Sequence, residues 1–175
     1  MRRLMAFVVA AALGGASCGD SEPTEIQAPD RLSVTSPAFA GGEDIPTAFT
    51  CDGTEISPPL EWQADAEEFV LTMTDPDAGD FVHWVVYSIP GHVRDLTEGE
   101  LPAGAVEGVN DADEAGYAGP CPPEGDAPHR YEFTLYALNR AVTSDLGEGA
   151  TLDEVLVPIE CCVASKGTLA GTYGR

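Results

Sequence analysis

Apolar and polar residues alternate most clearly in three stretches: Phe69-Val70-Leu71-Thr72-Met73-Thr74, Trp84 to Ile89, and Tyr131 to Leu138. Side chains two apart share one face of a strand, and β-branched and aromatic residues suit such a half-buried surface. Pro, Gly and Asp bound all three stretches, so each predicts a strand with a turn at its end. Leu32-Ser33-Val34-Thr35 and Pro59-Leu60-Glu61-Trp62 are shorter candidates of the same kind. Helical signals appear only near the end of the chain. Thr151-Leu152-Asp153-Glu154 matches a capping box, with Thr151 as N-cap and Glu154 three positions on. Pro158 then either breaks that helix or opens a second one through Ala164, and Gly167 to Tyr173 returns to an extended pattern. Long loops rich in Pro and Gly separate the strands. The pattern predicts a mainly β fold, an antiparallel β-sandwich with one or two short helices near the C-terminus.

Length and charge narrow the picture. The chain has 175 residues and no internal repeat, which suits one domain. Eight Lys and Arg against 30 Asp and Glu give a formal charge of −22, which excludes nucleic acid as a partner and excludes electrostatic attraction to an anionic bilayer. The first residues read as a targeting segment. Arg2-Arg3 precede an apolar run, Leu4 to Leu13, that is too short to span a membrane, and small residues lead to Cys18. Residues 1–17 are therefore expected to be a signal peptide. The approach to Cys18 resembles a bacterial lipobox, in which the cysteine is acylated, although Gly15 stands where an aliphatic residue is usual. Residues 19–30 are then a flexible tether and residues 31–175 the domain. The expected location is the bacterial envelope, on the periplasmic face or the cell surface, with membrane contact through the N-terminal lipid only. Soluble secretion is the alternative. Beyond Cys18 lie Cys51, Cys121, Cys161 and Cys162. Export favours disulfides, with three pairings open, and the absence of a Cys-x-x-Cys spacing disfavours zinc. Adjacent Cys161 and Cys162 are expected to send one thiol inward and the other toward a partner.

Two segments carry most of the polar chemistry. In the first, Pro76 holds Asp75 extended at a strand end, turn residues follow, and His83 opens the next strand beside Trp84. Strict alternation would put His83 and Trp84 on opposite faces. In the second, Gly119-Pro120-Cys121-Pro122-Pro123 forms a stiff wall, and His129-Arg130-Tyr131 enters a strand with His129 and Tyr131 on one face. Arg130 reads as a structural clamp on Asp75 or Asp77, with direct ligand contact as its other use. Together the segments look like two halves of a shallow, preformed anion pocket.

These residues also carry a resemblance. Cys51-Asp52-Gly53, Ser57-Pro58-Pro59-Leu60-Glu61-Trp62, Asp75-Pro76-Asp77-Ala78 and His83-Trp84-Val85-Val86-Tyr87-Ser88-Ile89-Pro90 come first. Gly116-Tyr117-Ala118-Gly119-Pro120-Cys121-Pro122-Pro123, His129-Arg130-Tyr131, Leu135-Tyr136-Ala137-Leu138 and Gly171-Thr172-Tyr173-Gly174-Arg175 follow. In this order and spacing the chain resembles the phosphatidylethanolamine-binding protein family, in its bacterial branch similar to Raf kinase inhibitor protein. The resemblance implies a two-sheet β fold whose end pocket accepts phosphate, phosphorylethanolamine or similar groups. Carried over by motif, the ligand-binding residues are Asp75, His83, Pro123, His129 and Tyr131. Gly79 stands where the family often has proline, and Cys161-Cys162 stands where bacterial relatives commonly have Gly-His. Asp75, His83 and His129 could be imagined as metal ligands for hydrolysis, but the resemblance implies no established catalysis, no Ser-His-Asp arrangement or glycine-rich phosphate loop is recognisable, and no cofactor or metal is expected. A non-catalytic binder of a phosphorylated or anionic small molecule or lipid headgroup is the expected function. The alternative is an inhibitor or regulator of a protein partner such as a protease, with Glu98-Gly99-Glu100 and Asp111-Ala112-Asp113-Glu114 as docking loops.

Overall fold

In the computed structural model, which describes residues 26–175, the three alternating stretches become the centre of one sheet. The strands are β1 (Val34–Thr35), β2 (Leu60–Trp62), β3 (Glu68–Asp75), β4 (Phe81–Pro90), β5 (Asp95–Leu96), β6 (Val106–Glu107), β7 (His129–Leu138) and β8 (Val163–Tyr173), with one α-helix, α1 (Leu152–Ile159), before β8. A five-stranded sheet runs β6-β4-β3-β7-β8 and a three-stranded one β1-β2-β5, with every pairing of these strands antiparallel. Each face of the large sheet is covered. Phe69, Leu71 and Met73 of β3 meet Leu60 and Trp62 of the small sheet in one core, while Val70 joins Val85, Tyr87, Val155 and Ile159 in a second core under α1. With both faces covered, β3 is buried along nearly its whole length, Thr72 included.

The helix begins where the capping box places it: Thr151 Oγ1 accepts from the Glu154 backbone, and Glu154 returns the contact to the Thr151 N–H. Pro158 does not start a second helix. It lies inside α1, one residue before the helix ends, and the chain is back in a strand at Val163. The two-residue strands β5 and β6 carry no readable alternation and are edge pairings.

Two other expectations change. The segment expected to be tether through Asp30 is packed from Ile26 onward: Ile26 lies in the second core, and Lys166 N–H donates to the Pro29 carbonyl at 3.0 Å. The backbone crosses β8 so closely that a Cβ on Gly167 would sit 1.7 Å from the Leu32 carbonyl oxygen. The expected signal peptide, Cys18 and the first part of the expected tether lie outside the described residues. Disulfides join Cys51 to Cys121 and Cys161 to its neighbour Cys162. Cys162 is buried and Cys161 exposed, but the two sulfurs bond to each other and leave no free thiol for a partner.

Candidate functional site

One end of the large sheet holds the pocket, because three strands that are adjacent in space begin or finish there. β3 ends at Asp75, β4 starts at Phe81 and β7 starts at His129. Asp75 then caps the short turn that follows: its Oδ1 accepts from the backbone N–H of Asp77 at 2.9 Å and of Ala78 at 3.1 Å. Its second oxygen, Oδ2, accepts from His129 Nδ1–H at 2.7 Å. One buried carboxylate thus orders both the turn and an imidazole from the neighbouring strand.

His83 reaches the pocket through a bulge. Met73 pairs with Trp84 and Thr74 with Val82, so His83 is an extra residue in β4. Val82 and Val85 both face the helix side, and the intervening His83 and Trp84 both face the small sheet. The expected separation of these two side chains onto opposite faces is therefore corrected by the bulge, which frees a buried position for a polar ring without displacing Trp84 from the core. His83 Nδ1 lies 2.9 Å from the Ala118 carbonyl, which can only accept, so the ring proton sits on Nδ1. Burial lowers the His83 pKa below its usual value, against the opposing pull of the Ala118 carbonyl and the Asp75 carboxylate.

Tyr131 stands between the two imidazoles, edge-on to His83 at 5.2 Å and stacked near His129 at 6.4 Å between ring centres. Its hydroxyl is buried, with no hydrogen-bond partner of good geometry among the described residues. Burial, and after it the Asp75 carboxylate, raises the pKa of that hydroxyl above the usual tyrosine value, so it stays protonated. Arg130, on the opposite face of β7, pairs through its guanidinium with Glu132, and its backbone N–H donates to Asp77 Oδ2 at 2.8 Å. The contact with the Asp75 turn expected of its side chain is made by its main chain instead.

The far wall is covalent. The Cys51–Cys121 bond joins the loop after Thr47–Phe49 to the proline-rich stretch, and Cys51 N–H donates to the Pro120 carbonyl at 3.2 Å. Glu55 accepts from Gly119 N–H at 3.2 Å, and the Tyr117 hydroxyl donates to the Phe49 carbonyl at 2.7 Å. Arg175 and the Tyr173 hydroxyl, at the end of β8, both donate to Asp52 beside this disulfide. The cavity so enclosed has a volume of about 310 Å³ and brings together Asp75, His83, Pro123, His129 and Tyr131. Such a volume lies at the small end for ligand sites. Ala112, from one of the two acidic loops, also lines it.

Cys51, Cys121, Glu55 and Phe81 line the pocket without having been singled out as site residues. The two cysteines had a signal, since each falls in a motif of the resemblance, but their pairing does not follow from the chain. A larger hollow of about 890 Å³ on the helix side of the large sheet, lined by Asp80, Asp111, Glu132, Asp153 and Lys166 together with several threonines, contains no histidine. Among the described residues, no group of three or more His, Cys, Asp or Glu is arranged to hold a metal ion.

Comparison with known proteins accords with this geometry. The model of the family described as phosphatidylethanolamine-binding protein matches residues 35–174. A protein of Aquifex aeolicus is 40% identical over 153 residues, covering 82% of this chain and 89% of its own. LppC of Mycobacterium tuberculosis, whose name classes it provisionally as a lipoprotein, is 36% identical over 187 residues, covering 97% of this chain and 92% of its own. Among solved structures, CT736 of Chlamydia trachomatis superposes with a TM-score of 0.76 at 38% identity, over 82% of this chain and 97% of that one. YbcL of E. coli gives 0.74 at 29% identity, over 82% and 98%.

Proposed function

The chain belongs to the phosphatidylethanolamine-binding protein family, and from that membership we propose that it is a non-catalytic binding protein for a phosphorylated or otherwise anionic small molecule or headgroup, exported and held at the bacterial envelope by a lipid on Cys18. One observation carries the ligand reading. Each imidazole in the cavity spends Nδ1 on a protein acceptor, Ala118 for His83 and Asp75 for His129, and among the described residues no hydrogen bond engages either Nε2. Two oriented ring nitrogens in a small walled cavity suit a compact tetrahedral group. Pro123 supplies apolar wall, and the Tyr131 hydroxyl, which has no well-formed hydrogen bond among the described residues, is a donor in reserve.

The protonation state refines the ligand. With Nδ1 carrying the proton, a neutral ring offers Nε2 as an acceptor. The pocket then suits a group that brings its own proton, such as a hydrogen phosphate or an ammonium, or else it binds an anion together with a proton. The similarity to a lipoprotein-named relative and the residues before Cys18 support the anchor.

Titration of the protein with phosphate and with phosphorylethanolamine, read on the His ring resonances by NMR, tests the reading. Saturable shifts at His83 and His129, weakened at least tenfold (about 1.4 kcal/mol) in His83→Ala and His129→Ala, are expected. Rings that do not respond at millimolar ligand would overturn it in favour of a protein partner.

A further inference from the structure

We propose that Cys161–Cys162 is a thiol-exchange site, at which an external thiol attacks Cys161 and Cys162 leaves as a thiolate held by Arg140. The bond joins adjacent residues, so it closes a loop with no residue inside it and removes almost nothing from the freedom of the unfolded chain. The usual structural reason for a disulfide is therefore missing here. It is present at Cys51–Cys121, which spans a sequence separation of 70.

The surroundings are polarised in the way exchange requires. Cys161 is exposed at the end of α1, whereas Cys162 is only 3% exposed. Arg140 Nη2 lies 3.3 Å from Cys161 Sγ and 3.1 Å from Cys162 Sγ. Arg94, Arg130 and Arg175 each pair with a carboxylate, but Arg140 makes no such pair among the described residues and points its charge at sulfur. A guanidinium against a sulfur lowers the cost of a thiolate there, and a better leaving thiolate speeds exchange. In the step itself the attacking thiolate forms a bond to Cys161 Sγ, the Cys161–Cys162 bond breaks, and its electron pair goes to Cys162 Sγ. A second thiol then resolves the mixed disulfide. Two thiols are oxidised to one disulfide and the cysteine pair gains two electrons and two protons. The co-reactant is a thiol, either a low-molecular-weight one or a dithiol protein. The site lies at the far end of β7 from the anion pocket, next to Asn139, whose N–H donates to the Cys162 carbonyl. It does not depend on the proposed ligand function.

The test exposes the purified full chain to graded glutathione or to a reduced dithiol protein, followed by alkylation and peptide mass mapping. Cys161 and Cys162 are expected to be reduced at a thiol level at least about tenfold below that needed for Cys51 and Cys121. Arg140→Ala should slow that reduction several-fold while Arg140→Lys retains most of the rate. Cys162→Ser should form a glutathione adduct at Cys161, and Cys161→Ser should form far less at Cys162. Which thiol reacts faster identifies the class of co-reactant. Simultaneous reduction of both bonds, an Arg140→Ala rate equal to wild type, or equal adducts in the two serine variants would each overturn the proposal.

Discussion

Asp75 shows how much a single side chain decides. Its Oδ1 holds the turn that ends β3 and its Oδ2 sets the tautomer of His129, so the two functions can be separated by an isosteric change. Asp75→Asn keeps an oxygen for the turn and can present an amide N–H to His129 Nδ1. The imidazole proton then moves to Nε2, which becomes a donor toward the cavity, and a negative charge beside the site is lost. Phosphate affinity at about pH 8 should therefore hold or rise in Asp75→Asn and fall in Asp75→Ala. Isothermal titration of both variants checks this, and a loss of equal size in the two would rule out tautomer control. His83 makes a second prediction. Burial places its pKa below the usual 6.5, so at neutral pH the ring is uncharged. A bound anion favours the charged ring, so binding takes up a proton, and affinity should rise as pH falls from about 8 toward 6, then level off below the pKa of the free ring. The same lowered pKa means that the unfolded state binds this proton first. His83 thus contributes a loss of stability as pH falls through about 6.5, complete below its folded value, and His83→Gln should flatten that part of a urea-midpoint profile.

At the scale of elements, the two disulfides predict opposite outcomes. Cys51–Cys121 ties together two loops that no strand pairing holds, and both cysteines line the cavity. Replacing both with serine should lower stability by about 2–5 kcal/mol in urea unfolding and weaken phosphate binding, because the wall comes free. Replacing both Cys161 and Cys162 should change stability by less than about 1 kcal/mol, since no loop reopens. Comparable losses in the two double variants would contradict the entropic account. Much of the element structure was legible in the chain. The runs around Phe69, Trp84 and Tyr131 alternate strongly and became β3, β4 and β7, and Thr151 with Glu154 marked the start of α1. The bulge at His83 was not legible, because alternation counts every residue once and a bulge is an exception that only the partner strand reveals. Nor was the loop carrying Cys51 and Glu55, which is held beside the pocket by a bond across 70 residues and by the Glu55 contact with Gly119 rather than by any local preference. The pocket histidines and Tyr131 were readable from local pattern and resemblance, but their partners, a carbonyl at Ala118 and a cap that doubles as an orienting carboxylate, belong to the tertiary fold.

The whole molecule is strongly acidic, and removing residues 1–17 takes away Arg2 and Arg3, moving the formal charge from −22 to −24. A surface of that sign is repelled by anionic lipid, so the proposed attachment to a membrane would rest on acyl chains rather than on charge. The fold places the two ends of this arrangement apart. The N-terminal segment meets β8 at Lys166, which pairs with Tyr136, whereas the pocket lies where His129 pairs with Tyr173. Seven strand positions at about 3.3 Å each put roughly 23 Å between them. From Cys18 to the packed Ile26 the chain can span at most about 28 Å. An anchor at Cys18 would hold the domain near the bilayer, and because the N-terminal segment joins the domain at the opposite end of β8 from the pocket, anchoring and ligand affinity should separate. Cys18→Ser, expressed with its leader, should shift the protein from the membrane to the soluble fraction of the envelope while its affinity for phosphate stays within about twofold of wild type. Retention in the membrane fraction would remove the lipid anchor from the proposal. Release accompanied by lost phosphate binding would instead mean that the pocket depends on the membrane for its shape or its ligand.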